Sequence, residues 1–185
     1  NQLNKYAQDF ATVYNSAWAQ HGEAKEITVP EVMKLFKTMK PIMDERVIWF
    51  AYYKEEPIAM FINIPDVNQY FKHFNGKLNL MNKLRLLWMK KTGQCKKLTG
   101  LAFGVVPKYQ ALGVDSFLIQ SCGYYMQHKG WYDAYEMGWA GDWNPRMVNI
   151  YKSLGGSQNR RMVTYRYIFD EQKYTFERHP IMEYK

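Results

Sequence analysis

The sequence predicts a mixed α+β fold, and three observations carry that expectation. Apolar residues recur at helical spacing over residues 3–39. Two compact apolar runs, 47–53 and 57–64, are separated only by Lys54-Glu55-Glu56, the pattern of an antiparallel hairpin. A third run, 98–106, stops at Pro107, crosses a short loop containing Gly113, and restarts at Val114 with helical spacing. A strand feeding a helix in this way opens a parallel βαβ unit, so the sheet combines antiparallel and parallel pairing.

Each element follows from its own residues. Leu3, Tyr6, Phe10, Val13, Tyr14 and Ala17 recur at the spacing of a first helix, closed by His21-Gly22. Thr28-Val29-Pro30-Glu31 reads as a capping box with proline in the first turn. The helix it opens carries Val32, Leu35, Phe36 and Met39 and stops at Lys40-Pro41. After the hairpin, Pro65-Asp66 begins a polar, aromatic segment that ends in the turn Asn75-Gly76. Leu80, Leu84, Leu87 and Trp88 give a short amphipathic helix ending near Lys91-Thr92-Gly93.

The helix from Val114 to Lys129 has Val114, Phe117, Leu118, Cys122 and Tyr125 as its stripe, and Gly130 breaks it. A strand is expected over 131–139. Asn144-Pro145 then opens a last helix with Met147, Ile150, Tyr151 and Leu154 on one face, closed by Gly155-Gly156, and a final strand is expected over 161–169. No internal repeat or linker interrupts the chain, so residues 1–185 are expected to form a single domain. The opening Asn1-Gln2-Leu3-Asn4-Lys5 is neither a start methionine nor a signal peptide, and the chain is expected to be the C-terminal part of a longer protein.

Composition narrows the function classes. No apolar run approaches the roughly 20 residues that span a bilayer, so no membrane partner is expected. Cys95 and Cys122 lack companions at metal-ligand spacing, and His21, His73, His128 and His179 form no cluster, so no metal site is expected. Free thiols favour a reducing, cytoplasmic setting. The net charge of +8 is uneven: no acidic residue occurs between Asp66 and Asp115, while Lys72, Lys77, Lys83, Arg85, Lys90, Lys91, Lys96, Lys97 and Lys108 all do. That span is either a solvated basic face or a surface for a polyanion, whether nucleic acid or a phosphorylated cofactor.

The loop after the third strand has specific chemistry. Gly113 permits a left-handed backbone and close approach by a ligand. The N–H groups of Ala111, Leu112, Gly113, Val114, Asp115 and Ser116 lie at a helix start, where unsatisfied donors can hold a pyrophosphate. An ordinary strand-to-helix turn explains the same residues without a ligand. Asp115 complements the helix dipole, but its carboxylate would repel a phosphate unless it points away.

Two motifs in order make the chain resemble the GNAT superfamily of acyl-CoA-dependent N-acyltransferases. The family's cofactor loop has arginine or glutamine, two variable residues, glycine, a variable residue, and glycine or alanine. Gln110-Ala-Leu-Gly113-Val-Asp115 matches the first two anchors and departs at the third. A second family pattern of asparagine, tyrosine and glycine appears at the family's spacing as Asn144, Tyr151 and Gly155.

The resemblance covers most of the chain. It implies a mostly antiparallel sheet with a central parallel strand pair splayed for acyl-CoA, and helices on both faces. It implies that acetyl-CoA or another acyl-CoA is the co-substrate, without a metal. The backbone of Phe103, Gly104, Val105 and Val106 would meet the pantetheine arm, a strand addition by a peptide-like ligand, and Gln110 to Ser116 would hold the phosphates. Asn144 would contact pantetheine, although with Pro145 behind it an N-cap is its more direct reading. Tyr151 would protonate the departing thiolate, or is a core tyrosine of the helix stripe. Glu136 is the best base for the incoming amine if burial raises its pKa, or else a structural carboxylate. Trp139, Trp143, Tyr132 and Tyr135 would line an acceptor pocket or serve as core.

The implied partner is an amine of unread identity, with a homodimer left open. The rival readings are an acyl-CoA-binding module without catalysis and, third, a nucleic-acid binder using the basic span. The last lacks the glycine-aromatic signature of an RNA-recognition sheet.

Overall fold

The structure is a computed structural model that describes residues 2–18 and 25–170. It divides into two compact units between Gly138 and Trp139. The closing residues assigned to the first helix, His21-Gly22, and His179 lie outside the described residues.

The first unit opens with helices α1 (Gln2–Trp18) and α2 (Val29–Met39). The start of α2 is fixed as its sequence requires: the Thr28 backbone N–H donates to Glu31 Oε2 at 2.8 Å, with Pro30 in the first turn. The hairpin strands β1 (Ile48–Tyr53) and β2 (Glu56–Pro65) follow. Next come a single helical turn α3 (Asn68–Phe71), helix α4 (Leu80–Lys91), strand β3 (Lys97–Val105), helix α5 (Val114–Lys129) and strand β4 (Ala134–Glu136). The sheet order is β1-β2-β3-β4, antiparallel except for the parallel β3–β4 pair.

The two faces of the sheet bury different helices. Met60 and Ile62 of β2 pack with Phe10, Val13 and Phe36 of α1 and α2. Ala59 and Phe61 of the same strand pack with Leu118, Cys122 and Met126 of α5, as strand alternation demands. Strand β3 keeps this arrangement only through a bulge: Ile62 pairs with Ala102 but Asn63 pairs with Gly100, leaving Leu101 as an extra residue. Leu98 before the bulge and Phe103 and Val105 after it all join the α5-side core. Gly104 faces α1 so closely that a Cβ there would lie 3.2 Å from Ala17 Cβ. Glycine at this position lets the first helix close onto the sheet.

A smaller core lies under α3 and α4, where Leu86 and Met89 pack with Tyr70, Phe74 and Cys95. The expected helix forms, and its tertiary neighbours decide which face is covered. Leu80, Leu84, Leu87 and Trp88 are exposed, and the opposite face of α4 is the buried one. In α5, Phe117 and Tyr125 of the expected stripe are exposed, while Met126 joins Leu118 and Cys122 in the core.

The second unit holds helix α6 (Pro145–Ser153), closed by Gly155 at φ 75°. The final strand expected over 161–169 does not form. Those residues have no regular structure, and Met162, Tyr165 and Phe169 are exposed. Among the described residues of this unit no other strand offers an edge to pair with. The strand expected over 131–139 is reduced to Ala134–Glu136.

Candidate functional site

The β3–β4 pair is short and then opens. Lys97, Leu98 and Thr99 pair with Ala134, Tyr135 and Glu136, and β4 stops there while β3 runs on to Val105. The Leu101 bulge in the β2–β3 pair lies two residues past Thr99, the last residue paired with β4, and a bulge locally increases strand twist. Among the described residues, no strand pairs with the β4-side edge of β3 beyond Thr99. Phe103, Gly104 and Val105 therefore have an edge towards which a peptide-like ligand could add. Phe103 also has a packing role, its ring meeting Phe61 edge-on at 5.6 Å.

The chain then turns sharply into α5. Val106 N–H donates to Ile58 C=O at 2.9 Å, which ends the sheet ladder. A 3₁₀ turn, Pro107–Tyr109, leads into the loop. Gln110 ties the loop back to its strand, its Nε2 donating to the Val105 carbonyl at 3.0 Å. Two residues adopt left-handed backbone: Ala111 at φ 60° and Gly113 at φ 76°. The Ala111 conformation is uncommon for a residue with a Cβ and marks a shaped loop. The first bond of the helix ladder is Phe117 N–H to Gly113 C=O, so the N–H groups of Val114, Asp115 and Ser116 precede the ladder. Ala111, Leu112 and Gly113 are exposed, and Asp115 is half-buried.

Glu136 sits differently from its sequence expectation. Its carboxylate pairs with Lys97 Nζ, which also lies 3.5 Å from Asp66 Oδ2. The carboxylate expected among apolar neighbours thus has a charged partner on the adjacent strand. The pairing in turn raises Lys97 above its ordinary value. No local pattern could have joined residues 97 and 136, because the parallel pairing itself brings them together.

Two of the aromatic residues expected around an acceptor, Tyr135 and Tyr132, have structural partners. Tyr135 Oη donates to Asn63 Oδ1 at 2.9 Å, and Asn63 Nδ2 donates to the Val47 carbonyl at 3.1 Å, satisfying a fully buried amide. Gly100 leaves room for that phenol, since a Cβ would come within 2.6 Å of Tyr135 Oη. Tyr132 Oη donates to Asp44 Oδ2 at 2.6 Å, beside the Arg46–Asp44 ion pair at 2.6 Å. The Arg46 guanidinium lies over the Trp131 ring at 4.1 Å. Trp139 is exposed.

Burial pushes the Asp44 carboxyl up, but hydrogen bonds from Arg46 and Tyr132 outweigh it and hold the group below its ordinary value. A depressed carboxylate contributes stability above its unfolded pKa and loses it as pH falls through the folded value. Acidification below the ordinary 3.8 is therefore expected to erode the melting temperature of the native chain. In Asp44→Asn that part of the acid loss disappears from a start at lower neutral-pH stability, as thermal melts across pH would show.

In the second unit, Asn144 caps α6: its Oδ1 accepts from Met147 N–H at 3.1 Å. This is the capping role read from Asn144-Pro145. Tyr151 is half-buried on α6, and burial pushes its phenol above the ordinary value, so it stays protonated at neutral pH. Cys95 and Cys122 are buried thiols, and burial pushes Cys122 up to about 11. Among the described residues no three His, Cys, Asp or Glu side chains gather as a metal-ligand set.

No family model matches the chain. It is 26% identical over 170 residues to a bacterial ceramide synthase of Caulobacter vibrioides (strain NA1000 / CB15N), a match covering 89% of this chain and 44% of that protein. The chain spans less than half the length of the curated relatives it matches. Among solved structures, it superposes on a possible acetyltransferase from Clostridium difficile 630 with TM-score 0.56 at 15% identity, over 89% of this chain and 93% of that one. It also superposes on the aminoglycoside acetyltransferase AAC(6')-Iy, bound there to a CoA-containing bisubstrate analogue, with TM-score 0.53 at 13% identity over 89% and 92% of the two chains. The mixed sheet, its parallel β3–β4 pair and the helices on both faces are those of these acetyltransferases, and the chain has the GNAT fold.

Proposed function

We propose that the chain transfers an acyl group from acyl-CoA to an amine. The observation that carries this reading is the β3–loop–α5 unit, in which an unpaired strand edge runs into two left-handed residues and the open N-terminus of a helix. A thioester ligand with peptide-like amides and a pyrophosphate fits that sequence of groups. The edge at Phe103, Gly104, Val105 and Val106 would meet the pantetheine amides. The N–H groups from Ala111 to Ser116 would take the phosphates, with Asp115 contributing its N–H while its carboxylate faces away. Gln110 positions this loop through its bond to Val105. Acetyltransferases of the same fold, one of them solved with CoA, support the donor.

In this reading the amine attacks the thioester carbonyl directly, and a backbone N–H of β3 polarises that carbonyl. Glu136, paired with Lys97, would take the proton of the amine, and Tyr151, kept neutral by burial, would return one to the thiolate. Asn144 holds the start of the helix that carries Tyr151. Residues 1–185 would act as one catalytic domain in a reducing, cytoplasmic setting. The relative named a bacterial ceramide synthase supports a narrower acceptor class. A ceramide is the amide of a long-chain amino alcohol, and such an amine is the acceptor proposed here. The Glu136–Lys97 pairing favours a second reading, an acyl-CoA-binding module without turnover.

Thermal melting in acetyl-CoA, longer acyl-CoAs and free CoA tests the donor. A ligand at a hundred times its Kd adds about 2.7 kcal/mol, a shift of several degrees. No shift with any of them at millimolar concentration overturns both readings. A shift without acylation of any long-chain amino alcohol favours the binding module.

A further inference from the structure

Helix α4 presents an apolar stripe to solvent while its other face is anchored. Leu80, Leu84, Leu87 and Trp88 follow the spacing that lines one side of a helix, and Leu80 and Trp88 are 73% and 58% exposed. On the opposite side Leu86 and Met89 are buried against Tyr70, Phe74 and Cys95. Lys90 Nζ reinforces this docking, donating to the Met43 carbonyl at 2.7 Å and the Pro41 carbonyl at 3.1 Å. Asn79 caps the helix through the Met/Asn first turn, its Oδ1 accepting from Asn82 N–H at 3.0 Å. The outward face is thus fixed by internal packing and capping, and a contiguous apolar patch held outward marks an interaction surface.

The surrounding charge identifies what covers it. Exposed Lys77, Lys83, Arg85 and Lys91 border the stripe, within the span from Asp66 to Asp115 that has no acidic residue between its ends. Self-association through this face would set these cations against their own copies, which like-charge repulsion opposes. An anionic lipid surface instead offers hydrocarbon to the leucines, a headgroup layer to the indole and negative charge to the lysines. We propose that α4 is an interfacial docking helix, which lies in the plane of an anionic membrane with Leu80, Leu84, Leu87 and Trp88 inserted and the flanking cations on headgroup phosphates. No helix among the described residues is long and apolar enough to cross a bilayer. The sequence expectation of no membrane partner was drawn from span length, and span length does not bear on a helix that lies flat. The inference stands apart from the acyl-transfer reading, because it rests on no residue of that site.

Co-sedimentation of the 185-residue chain with vesicles tests it. The chain is expected to sediment with vesicles of phosphatidylcholine and phosphatidylglycerol and to remain in solution with phosphatidylcholine alone, and added salt should weaken binding. Leu84→Glu/Leu87→Glu should lower partitioning by about tenfold or more with an unchanged melting temperature, since both positions are exposed. Lys83→Glu/Lys91→Glu should weaken binding to the anionic vesicles. Failure of the native chain to bind them overturns the proposal, as does equal binding by the leucine variant. A concentration-dependent dimer, or a complex with an acidic protein, that the leucine variant abolishes while vesicles stay unbound also overturns it.

Discussion

Tyr151→Phe is expected to lower the rate of acyl transfer by about 10²–10⁴-fold at neutral pH, the range that positioned acids contribute. The KM for acyl-CoA should change little, because the ring and its packing remain and only the proton donor is lost. Burial holds the phenol above its ordinary value, so the donor form persists across the neutral range. Loss of rate from its deprotonation belongs at alkaline pH, above the ordinary value of 10.0. Initial rates of CoA release with a long-chain amino alcohol, measured against pH for both proteins, check this. A loss of less than a few-fold removes Tyr151 from the chemistry and returns it to the stripe of α6.

Met60→Ala is expected to cost about 2–5 kcal/mol of folding stability, as truncation of a core methionine does when its surroundings cannot collapse. Met60 is fully buried at the centre of β2, in the core formed with α1 and α2. Its Cε lies 3.9 Å from where a Cβ would stand at Gly104, so the methyl group fills space that the neighbouring strand leaves open. Strand and helix backbones bound the site, and partial relaxation is the most they permit. Leu84→Ala on the exposed face of α4 is the control, with a change within about 0.5 kcal/mol. Urea unfolding of both variants measures the difference.

The sequence made the hairpin, the strand–loop–helix unit and the α6 cap legible because each is local. Lys54 and Glu55 between two apolar runs, Gly113 before Val114, and Asn144 before Pro145 all act within a few residues of the structure they determine. Which face of helix α4 is buried was not legible, for a physical reason. It has apolar residues on both sides, and periodicity cannot say which side meets the protein. Tyr70, Phe74 and Cys95 decide that, and they are neighbours only once the chain has folded. Glu136 is similar: its strand could be placed approximately, but the Lys97 ammonium reaches it across a parallel pair. The expected strand at 161–169 had suitable residues, but periodicity cannot say whether a partner strand takes them up, and they pair with none among the described residues.

The extra residue at Leu101 makes β3 a strand with two reading frames. Before it, even-numbered side chains such as Leu98 point towards α5; after it, odd-numbered ones such as Phe103 and Val105 do. Deleting one residue there would leave composition, hydropathy and nearly every pairing propensity untouched. Removing Leu101 itself would leave Gly100 and Ala102 opposite Asn63 and Ile62 with ordinary alternation, so every downstream pair and face would stay as it is and only the bulge with its local twist would be lost. Chain length at this point therefore sets the local twist of β3, while the residues on either side of Leu101 set which helix each face meets.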